Sequence, residues 1–268
     1  MTQLITDRKE IIVTYLKTLR DKIIQNFETL EPKKKFERKE WDYQNGSGGG
    51  EISTIRGEVI EKAAVNWSGV SGNQLPMNEK EEPFFATGVS LITHMMNPHA
   101  PTVHMNVRYI ETADRFWFGG GYDLTPMGFP YRDDTLHFHQ IARGTLDQYD
   151  RNYYPKFSAW AKEYFYIPHR KKERGVGGIF FDYHNSGDFD ADLAMWQGVG
   201  STFLEAIMPL YKRRVNTPYT NEQKELQQKM RAHYVEFNLV YDRGTKFGFQ
   251  SGGNPEAILC SMPPLAKW

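Results

Sequence analysis

The chain has 268 residues, 40% of them hydrophobic and 14% aromatic, which is enough to bury a proper core and excludes disorder as its general state. Thirty-three basic and thirty-three acidic residues cancel to a formal charge of zero, so no global field recruits nucleic acid or an anionic membrane, and any anion recognition must be local. The single cysteine, Cys260, excludes a disulfide framework and a thiolate metal cage, and it fits a reducing compartment, the cytoplasm by default.

Ile11, Ile12, Tyr15, Leu16, Leu19, Ile23 and Phe27 recur at helical spacing after Thr6 and Asp7, which predicts a capped amphipathic helix of about five turns. Asp7, Glu10 and Asp21 interrupt its basic residues, against a signal peptide or presequence, and no later stretch approaches the roughly 18 apolar residues of a membrane span. The charged and then glycine-rich run over 31–50 reads as an exposed loop, a lid by one reading, before a strand over 51–57. Its GSGGG has no GK[ST] after it, against a phosphate loop.

The segment 84–110 concentrates chemistry, setting Ser90, His94, His104, Asn106 and Arg108 close together. From Thr102 to Ile110 the residues alternate as in a strand. Val103, Met105, Val107 and Tyr109 make the core face, while Thr102, His104, Asn106 and Arg108 make the other. An imidazole, a carboxamide and a guanidinium in a row suit an anionic, carboxylated ligand. A short connection from Ile110 to Arg115 predicts an antiparallel hairpin into the strand Arg115 to Phe118, followed by Gly119, Gly120 and Gly121, which allow close backbone approach, and then by Asp123. Asp133, Asp134 and Thr135 can cap a helix carrying His139 and Arg143. Tyr153 to Tyr166 reads as a helix stopped by Pro168, Gly175 to Tyr183 as a buried strand, Ala191 to Ile207 as a helix and Glu222 to Arg231 as another. Tyr234 to Tyr241 alternates as a strand ending at Asp242 and Arg243, and Phe247 to Gln250 and Ala257 to Ser261 read as two more short strands. With no repeat and no linker, the expectation is one α+β domain over 1–268, a large, mostly antiparallel sheet with helices on both faces.

Three constellations compete for function. The histidines, His94, His104, His139 and His169 among them, could hold a metal, although no HExxH spacing supports it. Arg108 and Arg243, and with them Arg170 and Arg174, could form a carboxylate site. Asp123 and Asp242 are each either the partner of an arginine or a general base. No GxSxG nucleophile is present, and Cys260 reads as inert packing.

Several longer blocks carry a resemblance: AVNWSGVSG from Ala64, GVSLITHMMNPHAPTVHMNVRY, WFGGGYDLTP from Trp117, HFHQIAR from His137, YFYIPHRKKERGVGGIFFDY from Tyr164, YVEFNLVYDRGTKFG from Tyr234, and SMPPLAKW at the end. Together they span nearly the whole chain, which resembles the oxygen-dependent coproporphyrinogen III oxidases of haem biosynthesis. The resemblance implies an antiparallel sheet of about seven strands between helices, and a homodimer. It implies oxidative decarboxylation of the ring A and B propionates of coproporphyrinogen III to vinyls, giving protoporphyrinogen IX, with O2 as co-substrate and no required cofactor. Carried onto this chain, substrate contacts would come from Ser90, Asn106, Val107, Arg108, Gly252 and Gly253, with Arg174, Asp123, Asp242 and Arg243 around the tetrapyrrole and His104 as proton donor. Asp123 or Asp242 would be the base that removes a pyrrole proton. His94, His104, His139 and His169 match positions sometimes assigned to a divalent metal. Two departures stand out: Asn254 where many relatives carry arginine, and an end at Trp268 where relatives are expected to continue. The rival readings are a metal-dependent oxygenase built on the four histidines and a non-catalytic tetrapyrrole-binding protein.

Overall fold

The computed structural model describes residues 2–75 and 81–268, with 2–7 described by their backbone alone. It opens with α1 (Thr2–Glu28), followed by β1 (Glu37–Asp42), β2 (Ser47–Ile55), β3 (Ile60–Gly72), β4 (Phe84–Met95), β5 (Thr102–Thr112) and β6 (Phe116–Thr125). Then come α2 (Arg132–Leu146), α3 (Tyr153–Tyr164), the two-residue strands β7 (Tyr166–Ile167) and β8 (Lys172–Glu173) around a 3-10 turn (Pro168–Arg170), and β9 (Gly178–His184). The chain finishes with α4 (Phe189–Arg214), α5 (Asn221–Val240), α6 (Arg243–Gln250) and α7 (Pro255–Leu259). One seven-stranded sheet of order β1-β2-β3-β4-β5-β6-β9, antiparallel at every step, carries the fold. This is the α+β architecture expected from the sequence.

The alternation read in β5 decides which face is core. Val103, Met105, Val107 and Tyr109 are fully buried and join Val65, Val89, Leu91, Phe118, Tyr122 and Ile179 of neighbouring strands against α1, α2 and α4. Trp196 of α4 anchors that layer, its indole N–H reaching the Gly119 carbonyl at 3.3 Å. On the opposite face α5 docks over one end of the sheet. Arg231, entirely buried, donates to Glu61 Oε2 at 2.8 Å and to the Met95 carbonyl at 3.0 Å, and Gln227 donates to the same carbonyl at 2.9 Å.

Several local readings need correction. Thr6 and Asp7 lie inside α1, which begins at Thr2. The stretch 31–50, read as an exposed loop, contains β1 and the start of β2. The mostly exposed Glu37, Arg38, Lys39 and Glu40 belong to an edge strand, where charge blocks pairing with another chain. The glycine triplet sits within β6 instead of ending a strand. Tyr131, not an acid, occupies the N-cap of α2, and Asp133 and Asp134 pair with Arg213 and Arg214 of α4. The predicted strand from Tyr234 is the second half of α5, whose N-terminus is held by a capping box of Thr220 and Gln223. The two last predicted strands are α6 and α7, capped by Asp242 and Asn254, which accept from the backbone N–H of Thr245 and Glu256.

Candidate active site

The face of the sheet opposite the core carries the site. Antiparallel register sets its residues in rows across the strands. One row runs Asn66, Ser90, Asn106, Gly121 and Phe180; the next runs Ser68, Gly88, Arg108 and Gly119; a third runs Ala64, Ile92, His104, Asp123 and Gly178. The period of two thus brings Ser90, His104, Asn106, Arg108 and Asp123 to one surface. Val107 faces away into the core, so no side-chain contact with a ligand on this surface is open to it.

Asp123 is the electrostatic centre. Only 2% exposed, its Oδ1 accepts from His104 Nδ1 at 3.0 Å and from Arg174 Nη2 at 2.7 Å, and its Oδ2 accepts from the Thr125 hydroxyl at 3.4 Å. Burial pushes the carboxyl up. The Arg174 charge and the bonds from His104 and Arg174 outweigh that, and the acid is held below its ordinary range. Arg174, inserted among the rings of Phe165, Tyr234 and Phe237 at 4.3–4.7 Å, also donates to Asn238 at 2.8 Å. Burial disfavours its charge and Asp123 more than restores it. Arg174 therefore orients Asp123 and lies beneath the surface. His104, partly exposed, keeps Nε2 without a partner among the described residues while Nδ1 is fixed by Asp123. An imidazole so oriented can take or give a proton at Nε2.

Of the other three arginines, Arg170 is paired with Glu236, and Arg108 and Arg243 both approach one aromatic ring. Arg108 lies 5.9 Å and Arg243 6.0 Å from the centre of Phe180, and Arg243 also sits 5.1 Å from the Tyr164 ring. Arg108 donates to Asn106 Oδ1 at 3.0 Å and pairs with Asp182 at 2.8 Å. Its guanidinium fills the space a side chain at Gly119 would need, with a Cβ there only 2.9 Å from Arg108 Cζ. Arg243 is exposed and has no ion pair among the described residues.

Asp242, read as a possible base, is committed as the α6 cap. It accepts from Tyr164 at 2.8 Å and from Thr245 N–H and hydroxyl at 2.7 and 2.8 Å. Gly252, with φ of +71°, and Gly253 form the turn after α6. A Cβ on Gly252 would fall 2.1 Å from the Asn45 amide, which donates to the Ser251 carbonyl at 3.0 Å; a cavity of about 350 Å³ opens beside them.

The four candidate metal histidines do not converge. His94 is buried under the C-terminal segment, with Nε2 donating to the Ser261 carbonyl at 2.9 Å. His139 spans Tyr154 at 3.0 Å and the Val176 carbonyl at 2.9 Å. His169 spans Tyr241 at 2.8 Å and Glu236 at 2.6 Å. Among the described residues no three His, Cys, Asp or Glu side chains stand together as a metal site, so the residues present do not fit that group.

Burial, then the charge of Arg231, lowers the His94 pKa from 6.5 to about 3. The folded protein refuses a proton that the unfolded chain accepts. Stability is therefore complete above pH 6.5 and is lost as pH falls from 6.5 toward 3. In denaturant titrations across that window, His94→Gln should show a shallower decline than the native chain; parallel curves would contradict the assignment.

Two site residues escaped sequence reading. Asn66 stands beside Ser90 and donates to the Ala257 carbonyl at 3.1 Å and to Cys260 Sγ at 2.9 Å. Its alternation in β3 was the available signal. Asp182, the partner of Arg108, was marked only by being an acid at the end of the apolar GIFF run. Cys260 itself caps α7 instead of lying in a strand, and burial pushes its thiol up to about 11, which keeps it protonated.

The model of the family Coproporphyrinogen III oxidase matches residues 11–268. The chain is similar to a protein of Rickettsia rickettsii (strain Sheila Smith) named oxygen-dependent coproporphyrinogen-III oxidase, 46% identical over 278 residues covering 98% of this chain and 99% of the relative. Proteins of the same name from Rickettsia bellii (strain OSU 85-389) and Rickettsia felis are 45% and 46% identical over 97% and 98% of this chain. These relatives are matched over 98–99% of their own length. The chain belongs to the coproporphyrinogen III oxidase family.

Proposed function

We propose that this chain catalyses the oxygen-dependent oxidative decarboxylation of coproporphyrinogen III, turning the ring A and B propionates into vinyls. The observation that carries the reading is the 45–46% identity over nearly the full length to relatives bearing that name, combined with a sheet face that carries an Asp123-oriented imidazole and Arg108, with Arg243 beside the Phe180 ring that Arg108 also approaches. In each round a propionate loses CO2 and its β-hydrogen departs with an electron pair. That hydrogen with its pair, and one added proton, reduce O2 to hydrogen peroxide, so one propionate, one O2 and one proton give one vinyl, one CO2 and one peroxide.

His104 Nε2 is the group assigned to the proton, at a pyrrole nitrogen or at the reduced oxygen. Asp123, already saturated by His104 and Arg174, holds the ring in place and balances its charge when protonated. Arg108 and Arg243 bind propionates, for which a guanidinium fork is well matched. Ser90 and Asn106 line the same surface and offer a hydroxyl and a carboxamide to the macrocycle. O2 serves as co-substrate and no step is assigned to a metal. The working form we propose is a homodimer in the cytoplasm. No helix among the described residues is long and apolar enough to cross a membrane.

Aerobic turnover of coproporphyrinogen III by chelator-treated protein, with products resolved as porphyrins after oxidation, tests the reading. Protoporphyrin at full rate supports it. Activity restored only by one added metal would favour a metal-dependent oxygenase, and binding with no turnover in either state would favour a carrier.

A further inference from the structure

The Arg108 ion pair is made beside an irregularity in β9. Between Phe118↔His184 and Gly120↔Phe181 the partner strand takes three steps while β6 takes two, so β9 carries one extra residue. Tyr183, at the bulge, has φ of +49°, a left-handed conformation that a tyrosine adopts only under constraint. Regular alternation would turn Asp182 and Tyr183 to opposite faces. Asp182, two residues beyond the site-facing Phe180, keeps the face that alternation gives it and reaches Arg108 at 2.8 Å, while the bulge returns the exposed Tyr183 ring to that same face, where it stacks on Trp117 at 5.3 Å between centroids. The Tyr183 N–H donates to Asp182 Oδ1 at 2.9 Å, holding the carboxylate where it is. A bulge that re-aims a side chain beside an active site is a built feature.

We infer that Asp182 is a stand-in carboxylate, which holds Arg108 and yields it to a carboxylate of the incoming tetrapyrrole. This rests on the substrate reading above and identifies a positioning residue that acts through Arg108. Both side chains are partly exposed, Arg108 at 26% and Asp182 at 15%, so the pair is open to competition from a ligand. While Asp182 holds Arg108, the state able to receive a propionate is only a fraction of the whole, and affinity is reduced by that fraction. Once the carboxylate departs as CO2, Asp182 re-forms the pair.

The test is fluorescence titration of the full chain with coproporphyrin III, the aromatic tetracarboxylate that does not turn over. Asp182→Asn keeps an oxygen for the Tyr183 N–H and removes the charge; it should bind about threefold to fivefold tighter than the native chain. Asp182→Glu, which restores the charge, should return the affinity toward native, and thermal unfolding checks that both variants are folded. If Asp182 merely held Arg108 in place, Asp182→Asn would bind more weakly. Weaker or unchanged binding in Asp182→Asn, or equally tight binding in Asp182→Glu, would overturn the inference alone. Failure of the native chain to bind coproporphyrin III would overturn the substrate reading and the inference with it.

Discussion

Asp123→Asn should lower kcat by about two to four powers of ten, the range expected when a positioned proton-transfer group is lost. His104 is useful only with Nδ1 held and Nε2 presented, and Asp123 is its one hydrogen-bond partner among the described residues. The amide can turn its NH2 toward Nδ1 and stabilise the wrong tautomer. The same change leaves Arg174 as a buried cation without its counterion, among three aromatic rings. Breaking such a pair from one side costs about 3–5 kcal/mol. The two effects separate in a double variant, Asp123→Leu with Arg174→Met, which removes both charges and should recover most of the stability but none of the activity. Thermal unfolding and steady-state rates on the three proteins check this. An Asp123→Asn protein within about tenfold of the native rate would contradict the assigned role.

The second large effect is expected at the arginines. A hydrogen bond to a charged group contributes about 1.5–3 kcal/mol, so Arg243→Gln should lower kcat/KM by about one to two powers of ten, with KM carrying most of the change if the contact is equal in ground and transition states. Arg243 has no ion pair among the described residues; it rests on Tyr164. Arg243→Lys keeps the charge and loses both fork and stack, so it should recover only part of the loss. Coproporphyrin III titration alongside the kinetics would show the same ordering. Native kcat/KM in Arg243→Gln would remove this residue from the carboxylate site.

What the sequence made legible follows from where one residue's chemistry is enough. β5 was readable because its two faces differ in kind, apolar against His104, Asn106 and Arg108, and the partner strands then fall into register with it. The second half of α5 was misread because its inward positions are polar as well as apolar. Gln227, Arg231 and Asn238 are buried beside Tyr234 and Phe237, while Leu239 and Val240 are about half exposed. Hydrophobic period therefore pointed to a strand where burial has helical period. The short α6 and α7 are fixed by caps from Asp242 and Asn254, signals that were overlooked for the apolar residues after them. In the site, single residues were visible and pairings were not. Arg174 looked like a surface ligand for substrate until its place beneath Asp123 appeared, and the four histidines looked like a set until each proved bonded to a different neighbour. Asp182 shares its face with Phe180 by ordinary alternation, but its pairing with Arg108 needed the register of β5, β6 and β9.

The most direct test of the account compares O2 uptake and CO2 release from coproporphyrinogen III in the native chain and in His104→Gln, with coproporphyrin III binding measured on both. The native protein should consume O2 and release CO2 in equal amounts, and the variant should retain binding with turnover lost. Native turnover in His104→Gln would contradict this and move the proton chemistry away from this imidazole.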